Sequence, residues 1–204
     1  MKIENQQSTL AVRPPEYFPG LPFMALFREV DRFVLADPFE YSRRSRQNRA
    51  RPVHGGVQRD VPQHHEGRRQ QDAPPARLCR AEWQKLGPCA CASVRLLAQG
   101  AGLETTITRA TALPGAPATL PAILRALEDE PEALLAPPDA AAHDAALLDE
   151  ADGIDCEVRV ARFDAPRYHQ HFDGFVAGLS FADLLFEYGP EARALLREGS
   201  NVEG

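Results

Sequence analysis

No apolar run in the 204-residue sequence approaches the ~18 residues that a membrane-spanning helix needs, which excludes helical membrane insertion. The opening Met1-Lys2-Ile3-Glu4-Asn5-Gln6-Gln7 has no apolar core of a secretory signal, so the cytoplasm is the expected location. Cysteine is scarce: Cys79, Cys89, Cys91 and Cys156 are the full set, and reduced thiols are expected. Cys89-x-Cys91 lacks the spacing of a zinc knuckle and no second pair follows, so incidental thiols are expected and a metal centre is not. There is no phosphate-binding P-loop, glycine-rich dinucleotide fingerprint or nucleophile elbow, and the sequence names no cofactor. Positive charge is also short. The formal net charge of −6 argues against a general nucleic-acid binder.

The deficit of positive charge is uneven. From Glu40 to Leu86 there are eleven Lys+Arg against five Asp+Glu, whereas from Ala126 onward there are five against eighteen. The basic stretch coincides with another absence. From Ser42 to Arg77 there is no Leu, Ile, Met, Phe, Tyr or Trp, and only Val53, Val57 and Val61 are sizeable apolar residues. Such a composition buries too little surface to offset its ordering entropy, so residues 58–76 are expected to be disordered.

Outside that gap, short β-branched or apolar runs alternate with helical patterns. Thr9–Arg13 reads as extended, and Pro14-Pro15 stops any helix. Phe23, Phe27 and Val30 make Leu21–Val30 an amphipathic helix, and Arg32–Asp37 is a buried strand ending in a carboxylate. Further helices are expected over Ala92–Leu103, Ala118–Leu127 (capped near Thr119), Ala140–Ala151, from Ser180 to the Gly189-Pro190 break, and over Glu191–Arg197. Strands are expected at Thr105–Thr108, Ala133–Ala136 and Cys156–Ala161. This alternation predicts an α/β fold: a mainly parallel, Rossmann-like sheet flanked by helices. One domain over residues 10–198 is expected, with flexible termini at 1–9 and 199–204.

Two blocks carry a resemblance. The first runs Pro15-Glu16-Tyr17-Phe18-Pro19-Gly20 and, after a helix, Val34-Leu35-Ala36-Asp37-Pro38 and Arg44-Ser45-Arg46-Gln47-Asn48-Arg49. The second is Ser180-Phe181-Ala182-Asp183-Leu184, closing at Gly189-Pro190-Glu191-Ala192. In order and spacing both are similar to the WbqC-like protein family. Residues Gly56 to Pro62 depart from its pattern, lacking the tryptophans of the strand expected there. The resemblance implies surface-polysaccharide (O-antigen) biosynthesis, with acyl or aminoacyl transfer to an amino sugar and a nucleotide-sugar, or another anionic small molecule, as partner. The alternative is a non-catalytic or degenerate member serving assembly or interaction.

The site candidates follow. Asp37, at a strand's carboxyl end, is the candidate catalytic carboxylate; its bland counterpart is a turn former before Pro38. Arg43 and Arg49, with Ser45 and Asn48, are candidate substrate-binding residues, since guanidinium groups grip phosphate or carboxylate; the alternative is a solvated basic face. Tyr17, between prolines, either presents its hydroxyl to a ligand or packs as a buried aromatic. Ser180 and Asp183 have the spacing of a helix cap. His169-x-His171 has no third metal ligand nearby in sequence, and His64-His65 falls in the apolar-poor gap.

Overall fold

The computed structural model describes residues 8–39, 53–54, 57–58, 83, 85–136 and 156–203. Within them β1 (Thr9–Arg13), α1 (Leu21–Glu29), β2 (Arg32–Leu35), α2 (Leu86–Gly100), β5 (Thr106–Arg109), α3 (Leu120–Ala126), β6 (Ala133–Ala136), β7 (Glu157–Phe163), α4 (Phe181–Tyr188), α5 (Ala192–Gly199) and β8 (Ser200–Glu203) follow one another, with a small antiparallel pair, β3 (Val53–His54) and β4 (Val57–Gln58). The main sheet has the order β5-β2-β1-β6-β7-β8; its first five strands are parallel and only β8 runs against its neighbour. The α/β fold and the mainly parallel sheet are as the alternation predicts.

The handedness of parallel crossovers explains the layers. From β1 to β2 to β5 the chain steps one way along the sheet, and α1 and α2 share one face. It then crosses β1 to reach β6, so a right-handed connection puts α3 on the opposite face. Alternate residues of β1 divide accordingly. Ala11 faces α1 and α2, while Leu10 and Val12 pack on Leu120, Ile123 and Leu124 of α3. α4 and α5 return to the α1 face with Phe181, Leu184 and Leu196. Because the direction of winding changes at β1, the crevice at the carboxyl ends of β1 and β6 is the switch point at which open α/β sheets bind ligands.

Several boundaries differ from the sequence expectation, each for a physical reason. α1 is buried around most of its circumference, with Leu21 and Phe23 to Phe27 all inside, because both the sheet and α5 cover it. α2 starts at Leu86 rather than Ala92. Its first turns carry small Cys89, Ala90 and Cys91, which bury without an apolar stripe, and Pro88 sits where a helix tolerates proline. It ends in a Schellman arrangement: Gly102, at φ 63°, donates to Gln99 and Leu103 donates to Ala98. Thr119 is the N-cap of α3 by position but makes no side-chain cap bond.

The expected flexible tail is a strand over Ser200–Glu203, pairing antiparallel with β7 from Phe163↔Ser200 to Val160↔Glu203. Gly199 permits the approach, since a Cβ there would lie 2.4 Å from the Asp164 carbonyl oxygen. The expected helix at Ala140–Ala151, and beyond Gln58 the expected disorder at 58–76, lie outside the described residues. Among the described residues no helix is long and apolar enough to cross a membrane.

Candidate functional site

β2 and β5 are register partners up to Leu35↔Arg109, so both chains leave the sheet side by side at its carboxyl edge. Two residues beyond Leu35, the Asp37 side chain is only 2% exposed. Arg109 donates to Asp37 Oδ2 from Nε at 2.8 Å and from Nη2 at 2.6 Å. Thr111, in the short 3₁₀ turn Ala110–Ala112, donates its hydroxyl to Oδ2 at 2.6 Å and its backbone N–H to Oδ1 at 3.0 Å. Burial pushes the Asp37 carboxyl up, but the Thr111 hydrogen bonds and the Arg109 guanidinium more than offset it and hold the group below its ordinary value. Asp37 is therefore a carboxylate that accepts four hydrogen bonds, three at Oδ2 and one at Oδ1.

Asp37 also lies on a pocket of about 220 Å³. Pro15, after β1, and Ala36 and Phe39, after β2, supply one side; Leu86, Gly87 and Ala90, at the start of α2, supply the other. The helix therefore presents its amino end to the strand ends, the polarity that suits negative charge. Cys91, one residue past this wall, is buried, and burial together with the nearby Asp37 charge pushes its thiol up to about 11. A thiol so raised is no nucleophile at neutral pH. A larger open cavity of about 750 Å³ lies at the amino ends of the strands, but Glu128, Asp129, Glu130 and Glu132 line it and would repel an anion.

The Pro14–Gly20 turn is held from two helices. Phe18 has φ 45°, a left-handed conformation costly for an aromatic residue. Its N–H donates to Ser93 Oγ at 3.0 Å; that oxygen also lies 2.8 Å from the Ala90 carbonyl and 3.2 Å from the Glu16 carbonyl, either of which accepts its proton. At the other end, Pro19 O accepts from the Phe181 N–H at 2.8 Å and from Ser180 Oγ at 3.3 Å. Tyr17 is half-buried and sits edge-on to Phe18 with ring centroids 4.8 Å apart. Ser93→Ala strands the Phe18 N–H in a part-buried place, so a loss of about 1–2 kcal/mol is expected in urea unfolding. Amide exchange at Phe18 should accelerate while that of mid-α2 residues keeps pace with wild type.

Ser180 is the N-cap of α4, accepting from the Ala182 N–H at 3.2 Å. Asp183 does not close the cap with its side chain. It accepts instead from the Tyr168 hydroxyl at 2.9 Å, and burial raises both groups above their ordinary values. His169 and His171 are not on a strand; their Nδ1 atoms stand 3.7 and 3.8 Å from the two carboxylate oxygens of Glu187. Among the described residues, no three His, Cys, Asp or Glu side chains are gathered so as to hold a metal ion.

Of the expected site residues, then, Asp37 lies on the pocket and Tyr17 on the turn whose Pro15 forms a pocket wall. Arg43, Ser45, Asn48 and Arg49 lie outside the described residues. Sequence reasoning missed Arg109, Thr111 and Ser93. The only signal for Arg109 was its place at the end of Thr105-Thr106-Ile107-Thr108, one residue past the expected strand. Comparison with curated proteins and with solved structures gave no match. The family comparison did: the pattern shared by the Pro15–Gly20 turn, the Asp37 strand end and the Ser180–Asp183 cap extends over residues 14–73 and 75–195, and the chain belongs to the WbqC-like protein family.

Proposed function

We propose that the carboxyl edge of the sheet binds an anionic small molecule of the nucleotide-sugar class. In this reading the protein works in the cytoplasm, in surface-polysaccharide (O-antigen) biosynthesis, by acyl or aminoacyl transfer to an amino sugar. The observation that carries the reading is the Asp37–Arg109 pair. Asp37 holds Nε and Nη2 of the guanidinium, Nη1 takes no part in that pair, and Arg109 keeps about a third of its side chain exposed. An arginine fixed along one edge is pre-organised to grip phosphate with the rest. Asp37 thereby acts as a positioning residue. Arg43, Ser45, Asn48 and Arg49, which follow the pocket wall Phe39 in sequence, are proposed to add substrate contacts.

Isothermal titration with UDP-N-acetylglucosamine tests this. Arg109→Ala should weaken binding at least tenfold, whereas Arg167→Ala, whose guanidinium lies over the Phe175 ring, should bind as wild type does. Equal small losses in both variants would leave only diffuse surface charge. A second reading, binding without chemistry, is supported by the four hydrogen bonds that occupy Asp37 and leave it unsuited to carry a proton. Acyl transfer from acyl-CoA to an amino-sugar nucleotide would overturn it.

A further inference from the structure

The pocket beside Asp37 is smaller than a whole ligand. At about 220 Å³ it falls below the ~300–1,000 Å³ usual for small-molecule sites, so it takes one arm of a larger molecule. Its walls are Pro15, Ala36, Phe39, Leu86 and Ala90, which favour an apolar group. The carboxylate at its edge is already bonded to Arg109 and Thr111. Gly87, in the first turn of α2, brings backbone rather than side chain to the pocket, and Lys85 at the N-cap makes no side-chain cap bond. The Leu86 and Gly87 amides of that turn have no acceptor within their own helix, whereas Pro88 carries no N–H. The pocket thus pairs an apolar lining with backbone donors, the chemistry of a short acylamino group whose carbonyl accepts a hydrogen bond while its methyl is buried.

We propose that this pocket holds the N-acyl arm of an amino-sugar ligand, with Gly87 keeping the space open. The inference rests on the anion-binding reading above and adds to it a reason for discriminating among sugars. Gly87 is the position at which to test it. A Cβ there would meet only the Asp37 carbonyl oxygen, at 3.6 Å, an ordinary contact, so Gly87→Ala should fold and melt no lower than wild type while placing a methyl group at the pocket wall.

The experiment is a pair of titrations, UDP-N-acetylglucosamine against UDP-glucose, on wild type and on Gly87→Ala. Wild type should prefer the acetamido sugar by about fourfold, the factor expected for burying one methyl group. Gly87→Ala should lose that preference while its affinity for UDP-glucose and its melting temperature hold. Equal affinities in wild type, or a preference that survives Gly87→Ala, would overturn the pocket assignment and leave the anion site standing. Binding of neither nucleotide-sugar by wild type would overturn both.

Discussion

Phe33→Ala is expected to lower the unfolding free energy by about 3–5 kcal/mol, the range for removing a large aromatic side chain from a packed core. The residue is fully buried in mid-β2. Its ring lies 4.1 Å from that of Phe27, nearly parallel at 5°, and 5.3 Å from that of Phe23, both on α1. The three rings fill the layer between the sheet and a helix that is itself enclosed, so little can collapse into the space left behind. For a chain of this size each kcal/mol is worth ~2–4 °C, so melting should fall by roughly 10 °C. Urea denaturation followed by circular dichroism checks the value. Phe186→Ala, on a side chain 61% exposed, should stay within about 0.5 kcal/mol of wild type. A loss below ~1 kcal/mol for Phe33→Ala would mean that the aromatic layer is wrongly placed.

The second large effect is electrostatic. Asp37→Ala removes the common acceptor of Arg109 and Thr111 and should cost about 3 kcal/mol. Thr111 accounts for the larger part, because Arg109 is about a third exposed and water recovers some of what the guanidinium loses. Two checks separate this from a general core defect. In a double-mutant cycle with Arg109→Ala the losses should fall short of additive, since the two residues share one contact. The cost should also depend on pH in a definite sense. The folded Asp37 carboxyl titrates below its ordinary value, so its contribution is fully present above the unfolded value near ~3.9 and fades as pH falls through the lower, folded one. The gap between wild type and Asp37→Ala should therefore be constant from pH 7 to about 5 and narrow as pH falls below ~3.9. A gap that widens in acid would contradict the clamp.

Which parts of this architecture could be read from the chain follows from how local their causes are. Ala133–Ala136 declared itself because four consecutive apolar residues between turns suit a strand covered on both faces, and it is buried throughout. Ser180 declared itself as a cap because its hydroxyl and the Ala182 N–H that donates to it lie two residues apart. The start of α2 stayed hidden, since small residues carry no periodic signal and Pro88 resembles a stop. β8 was missed for a different reason. Ser200-Asn201-Val202-Glu203 has almost no intrinsic preference for a strand and forms one because β7 offers it an edge. In the site, Asp37 was legible as a strand end, but its partners Arg109 and Thr111 lie 72 and 74 residues away, joined to it only by the β2–β5 register. The Ser93 clasp on Phe18 spans 75 residues and is equally invisible to spacing.

The order of the sheet sets a timetable for synthesis. β1 is made early and lies in the middle: its neighbour β2 is complete by Leu35, but its other edge waits for β6, with Leu10 pairing to Leu134. At ~5–20 residues per second that interval is on the order of 6–25 s. Throughout it, a strand as apolar as Leu10-Ala11-Val12 stands on the ribosome with one row of backbone donors and acceptors unmatched, the condition that invites pairing between nascent chains. Among the described residues no strand before Ala133 offers β1 its second partner, so slowing translation between α3 and β6 should lower the soluble yield more than an equal pause after β7.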